Sequence, residues 1–268
     1  MKTVLVIGST DGIGLETARQ LLALGWRVLV HGRSPQRAKA AAEDLARGEA
    51  AAPVEPVWGD LSRMSEVVLL AAQAGERAPS LDVLINNAGV YEHQRRLTAD
   101  GLELTMAVNH FAPFLLTHHL LGALSRAPRG RVVTVSSMAH QSGRLDLDDL
   151  TFARRYDGYA AYAASKLVNV LFTVELAKRL EDSAVTANCL HPGVIATKLL
   201  RSGFGMGGAP VEQGARTSVY LATSPEIGSV SGRYYVDCRP VTPSRTARDE
   251  ALAARLWQES ERLLAAFL

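Results

Sequence analysis

Val4-Leu5-Val6-Ile7 is apolar at every position and stops on Gly8. A strand with one wetted face alternates apolar and polar residues, so an unbroken apolar run of this kind marks a strand buried on both faces. Covering both faces takes helices, and residues 12–24 supply the first, with apolar residues at helical spacing and Gly25 as C-cap. The pair of signals then repeats. Residues 27–31 read as a second strand, followed by a helix from Ser34-Pro35, an N-cap with proline in the first turn. Val54–Trp58 reads as a third strand with a helix over 62–74, and segments 81–86, 131–135, 184–190 and 233–236 as the remaining strands. The alternation predicts an α/β fold: one domain over 1–268, a doubly wound sheet of about seven mainly parallel strands flanked by helices.

Between these elements, 98–124 reads as one long helix capped by Thr98 and kinked or divided at Pro113. Residues 139–157 form a loop, with or without a short helix, and 158–180 a helix apolar around much of its circumference. The segment 201–209, with Gly203, Gly205, Gly207 and Gly208, reads as mobile; 211–223 and 249–268 read as helices, the last amphipathic. A net charge of +2 and the lack of a long Lys/Arg block argue against a nucleic-acid partner. Cys189 and Cys238 are far apart and read as free thiols of a reducing compartment. The opening is too short for a signal sequence, and no apolar run approaches the ~18 residues of a membrane span. A cytoplasmic protein without membrane or metal partners is expected. The adjacent His118 and His119 point to different sides of a helix, and Asp146, Asp148 and Asp149 lack the Gly and Glu of a calcium loop.

Two stretches carry chemistry. Gly8-Ser9-Thr10-Asp11-Gly12-Ile13-Gly14 joins the first strand to the first helix, where glycines admit a phosphate to unpaired helix N–H groups. The second strand ends in His31-Gly32-Arg33 rather than an acid. A guanidinium there, with Arg37 one turn on, favours NADP(H) over NAD(H). Asp60 and Leu61 follow the third strand, placed to meet an adenine edge, though Asp60 reads equally well as a helix cap. The other stretch, Tyr162-Ala-Ala-Ser-Lys166, sets a phenol and an ammonium one helical turn apart on one face. A nearby cation favours the phenolate, which suits the pair to acid/base work at a carbonyl or hydroxyl.

Taken in order, Gly8-x-x-x-Gly12-Ile13-Gly14, Asn86-Asn87-Ala88-Gly89, Asn109, Ser137, Tyr162-x-x-x-Lys166 and His191-Pro192-Gly193 resemble the short-chain dehydrogenase/reductase family, over nearly the whole chain. Val108-Asn109-His110-Phe111, Ser165-Lys166-Leu167-Val168-Asn169 and Ser231-Gly232-Arg233-Tyr234-Tyr235 are most similar to its branch of retinol dehydrogenases and their soluble bacterial relatives. Two departures stand out. Ile7 replaces the threonine that usually braces the glycine loop, and the N-terminal membrane segment of many retinol dehydrogenases is not found here.

The resemblance implies a Rossmann-type domain and assigns roles. Tyr162 would be general acid and base, Lys166 would lower its pKa and hold the nicotinamide ribose, and Ser137 (with Ser136 as alternative) would bind the substrate oxygen. Asn109 would hold Lys166 through ordered water. Asn87, Ala88 and Gly89 would line the cofactor pocket, with Pro192, Gly193, Val194 and Thr197 beside the nicotinamide and pyrophosphate. Loops 139–157 and 194–210 would shape the substrate site, the second as a lid. The activity implied is interconversion of a carbonyl and an alcohol on a small to medium apolar substrate. A non-catalytic NADP(H)-binding regulator and a reductase of acyl or polyketide intermediates are the alternatives. The family also implies a homodimer or homotetramer through 158–180, although a core helix explains that segment's apolar surface equally well.

Overall fold

The computed structural model describes residues 1–48 and 52–268. Its centre is an eight-stranded sheet in the order β3-β2-β1-β4-β5-β6-β7-β8. β1 (Thr3–Ile7), β2 (Arg27–Gly32), β3 (Val54–Trp58), β4 (Val83–Asn86), β5 (Arg131–Val135), β6 (Thr186–His191) and β7 (Tyr234–Val236) run parallel. β8 (Arg239–Pro240) alone is antiparallel.

Because side chains alternate along a strand, the unbroken apolar runs feed two cores. Leu5, Ile7, Leu29, Leu84 and Val132 face one side; Val4, Val6, Val28, Val30, Ile85 and Val133 face the other. The second side is covered by α1 (Gly12–Ala23), α2 (Pro35–Ala46) and α8 (Val211–Thr223). The first is covered by α3 (Met64–Arg77), α5 (Ala112–Ser125), α6 (Gly158–Arg179) and α9 (Glu250–Leu264).

The predicted long helix over 98–124 is corrected. Thr98 lies in a tight turn in which Leu97 pairs with Glu103, and the helix starts only at α4 (Leu104–Met106), capped by Glu103, whose Oε2 accepts from Met106 N at 2.8 Å. A π turn, Ala107–Phe111, then precedes α5. Pro113 has no N–H to offer the carbonyl of Asn109 four residues back, and the ladder shifts by one, Ala112 N bonding Ala107 O. Proline therefore divides the helix at the residue the family motif singles out.

One further reading changes. The glycine-rich segment expected to be mobile begins as a short helix, α7 (Lys198–Phe204), capped by Thr197 and ended by Gly205 in the left-handed region. The hairpin to β8 turns through Asp237 and Cys238, both at positive φ. The apolar surface of α6 is buried within the chain itself: Trp257 of α9 stacks on Phe172 (5.9 Å, 11°) and meets Phe114 at 4.7 Å. By length and composition α6 could cross a membrane, but it lies between the sheet and α9.

Candidate active site

β1 hydrogen-bonds β2 on one side and β4 on the other, so the chain winds outward from β1 to β3, crosses back to β4 and winds the opposite way, and a crevice opens beyond the strand ends at that reversal. A cavity of about 760 Å³ fills that crevice. Its walls include Gly8, Thr10, Asp11, Gly12, Ile13, Gly14, Arg33, Asp60, Leu61, Asn87, Ala88, Gly89, Ser137, Tyr162, Lys166, Pro192, Gly193, Val194 and Thr197. Residues from seven chain segments thus meet at one site.

The glycine loop is braced without the missing threonine. Gly8 N donates to His31 Nδ1 at 3.0 Å, and His31 Nε2 donates to Gly59 O at 3.0 Å. With Nδ1 accepting, the proton must sit on Nε2, and burial holds the ring neutral by lowering its pKa to about 4. Ser9 is corrected from a cofactor contact to part of this brace: fully buried, it donates to Val6 O at 2.7 Å and accepts from His31 N at 2.9 Å. Gly14 is obligatory here, since a Cβ would collide with Gly8 O and the Asn87 amide. That close packing leaves the α1 N-terminus open to the cavity, as a pyrophosphate requires.

Asp11 caps α1 through Gly12 N, and its carboxylate is paired with Lys198 Nζ at 2.7 Å; Lys198 holds its pKa below the usual range. Asn87 spends its amide on Ile7 O (3.0 Å) and Gly8 O (3.2 Å), tying β4 to β1. Asp60 does not cap α3. Its Oδ1 accepts from Ser62 N (2.9 Å) and Oγ (2.8 Å), while Asp100 reaches Met64 N from a distant loop.

On the opposite wall, β5 ends in two serines with separate tasks. Ser136 is buried and donates to Lys166 O at 2.7 Å, fastening α6 to the sheet. Ser137 faces the cavity beside Tyr162, its hydroxyl accepting from Ala139 N at 3.2 Å. Lys166 is buried, donates to Val135 O at 3.0 Å, and titrates at about 8 through desolvation. Tyr162 departs from expectation: burial pushes the phenol up to about 12, and the group that opposes this is Ser137, not Lys166. Lys166 Nζ stands 5.7 Å from the tyrosine ring centroid.

Asn109, expected to hold Lys166 through ordered water, stands behind the cavity wall rather than in it. Wholly buried, it accepts from Val90 N (2.8 Å) and donates to Val90 O (3.0 Å) and Ser165 Oγ (3.0 Å), clamping the loop after β4 to α6. Pro113, which has no N–H, leaves the main-chain carbonyl of Asn109 without its usual helical donor.

The family model described as short chain dehydrogenase matches residues 2–204. The chain belongs to the short-chain dehydrogenase family. Human Retinol dehydrogenase 14 is 40% identical across 97% of this chain and 85% of its own length, and human Retinol dehydrogenase 13 is 40% identical across 98% and 84%. Among solved structures, an uncharacterised protein from Mycobacterium Paratuberculosis superposes with TM-score 0.83 at 36% identity, covering 99% of this chain and 94% of that one. As a short-chain dehydrogenase the chain is an oxidoreductase of the NAD(P)(H)-using kind.

Sequence reasoning missed the parts several residues play in this short-chain dehydrogenase site. His31 and Ser9 brace the loop through partners over 20 positions apart in sequence. His140 is buried; Nδ1 donates to Ser137 O at 2.7 Å and Nε2 accepts from Ser244 N at 3.2 Å. Tyr91, Tyr159 and Phe204 gather around Tyr162, and only their apolar, aromatic character near the motif could have signalled it.

Proposed function

We propose that the chain is an NADP(H)-dependent oxidoreductase that interconverts a carbonyl and an alcohol on an apolar substrate. One observation carries this: the Tyr162 phenol, the Ser137 hydroxyl and the Lys166 ammonium share a cavity with a glycine loop at a helix N-terminus. When bound, the nicotinamide supplies or accepts hydride. The chain's own groups do the rest. Ser137 Oγ donates to the substrate oxygen as negative charge grows on it, and Tyr162 OH delivers the proton to that oxygen. In the reverse direction the phenol oxygen takes the proton back. Lys166, fixed by Val135 O, holds positive charge below the ring and restores the proton through solvent reached along the Asn109 carbonyl.

Arg33 and Arg37 are both exposed and both line the cavity beyond β2, which supports the 2′-phosphate form of the cofactor. Arg33→Asp is expected to weaken NADPH by roughly 10-fold or more while NADH changes little, measured as Kd by titration. Equal weakening of both would remove Arg33 from that role. The two free thiols support a cytoplasmic location.

The two serines separate in a second test. Ser137→Ala is expected to lower kcat by roughly 10²-fold with the melting temperature unchanged. Ser136→Ala is expected to cost about 1 kcal/mol of stability with a smaller loss of kcat, read by thermal unfolding beside steady-state rates. Following NADPH oxidation over aldehydes and ketones, with NADH in parallel, tests the activity itself.

A further inference from the structure

Beyond the two cores of the sheet lies a third, smaller apolar cluster: Ala139, Tyr162 and Ala163, with Tyr91, Leu199 and Phe204 packed against them. The fold does not need it, because both faces of the sheet are already covered. Its rings surround the Tyr162 phenol. Tyr91 lies 5.7 Å from the Tyr162 ring and 4.9 Å from Phe204, and Phe204 meets Tyr162 edge-on at 5.5 Å and 70°.

Phe204 is the last residue of α7, and Gly203 beside it leans on the Tyr91 ring, where a Cβ would come within 3.1 Å of Cγ. The helix therefore lays Phe204 into the ring cluster from a short segment that ends at a left-handed glycine. The outer rim is apolar and open, formed by Met138, Tyr159, Val194 and Met206, all exposed and all lining the cavity.

We infer that this site takes aryl carbonyl compounds, in which an aromatic ring is joined directly to the aldehyde or ketone carbon. The inference rests on the carbonyl–alcohol reading above and narrows it. A carbonyl oxygen held by Tyr162 and Ser137 places its substituent against the Phe204 ring, which Tyr91 backs at 4.9 Å. Planar rings pack there edge-to-face or offset, as the protein's own rings do, and each such pair multiplies affinity by roughly two- to tenfold. A puckered saturated ring of equal carbon count lacks both the flat shape and the quadrupole. Substituents on the far side of the aryl ring project over the open rim.

The test compares benzaldehyde with cyclohexanecarbaldehyde by kcat/KM in the holoenzyme. Conjugation makes benzaldehyde the less electrophilic of the two, so a preference for it reports binding rather than intrinsic reactivity. The expected result is a preference of about tenfold or more for benzaldehyde, falling below threefold in Phe204→Leu and in Tyr91→Leu. Calorimetric titration of the unreactive amides benzamide and cyclohexanecarboxamide into the cofactor-loaded protein is expected to show the same ranking in Kd. Equal or reversed preference, with Tyr162-dependent turnover of both aldehydes, overturns the aryl assignment and leaves the oxidoreductase reading standing. Turnover of a straight-chain aldehyde alone does the same. No turnover of any of the three, together with no discrimination between the amides, overturns both readings.

Discussion

Tyr162→Phe is expected to lower kcat for carbonyl reduction by roughly 10²–10⁴-fold while NADPH binding stays within about threefold of the parent. The substitution removes one oxygen and leaves the ring packing against Tyr91 and Phe204 in place, so folding and cavity shape persist. What disappears is the proton donor. Burial keeps the phenol protonated well above neutrality, at about 12, which suits donation during reduction and makes the reverse reaction wait for the rare phenolate. Alcohol oxidation should therefore climb with pH above neutrality, by up to about tenfold per unit, whereas reduction stays flat until Lys166 loses its charge near pH 8. Steady-state rates in both directions from pH 6 to 10, with calorimetric Kd values, check this. Retention of a tenth of the parent kcat by the variant would falsify the assignment of Tyr162 as the acid.

A second large effect concerns acid. His31 and His191 are buried and lowered from 6.5 to about 4, and His110 to about 3, in each case chiefly by desolvation. All three are neutral in the folded chain and protonate readily once unfolded. Between pH 6.5 and 4 the unfolded state binds more protons, so stability falls as pH falls through that window and is fully present above it. His31 alone accounts for roughly 3 kcal/mol of this loss, against a typical total of about 5–15 kcal/mol. Thermal midpoints are expected to drop steeply below pH 6, with unfolding near pH 4.5. His110→Phe should flatten the slope by about one proton: its Nδ1 is buried with no partner and its Nε2 bonds only Ser260 Oγ at 2.8 Å, among the described residues. A midpoint independent of pH from 6.5 to 4.5 would dispose of the idea.

What could be read in the sequence was whatever is local. The apolar runs of β1 and β2, the glycine spacing before α1 and the one-turn interval from Tyr162 to Lys166 each express a rule that acts within a few residues. The mainly parallel sheet and the two-sided core follow from them. The unread features depend on distant partners. Asp100 caps α3 across 36 positions, and His140 reaches Ser244 across 104. β8 is two residues long and ends in proline, too little pattern to register as a strand. The direction of the Tyr162 shift depended on the relative size of desolvation and charge, which spacing does not encode. Glycine content in 201–209 masked α7, because Thr197 had already set its start.

Lys198 and Asp11 meet across the mouth of the cleft, one on α7 and one on the glycine loop, with side chains 81% and 56% exposed. A pair so wetted is worth under about 1 kcal/mol and is screened within ~8 Å at physiological ionic strength. A clasp of that strength opens on every thermal excursion of the helix above it. Residence times in the cleft should then be set by what the ligand itself holds, the clasp adding little to them. The entrance is built for traffic rather than storage.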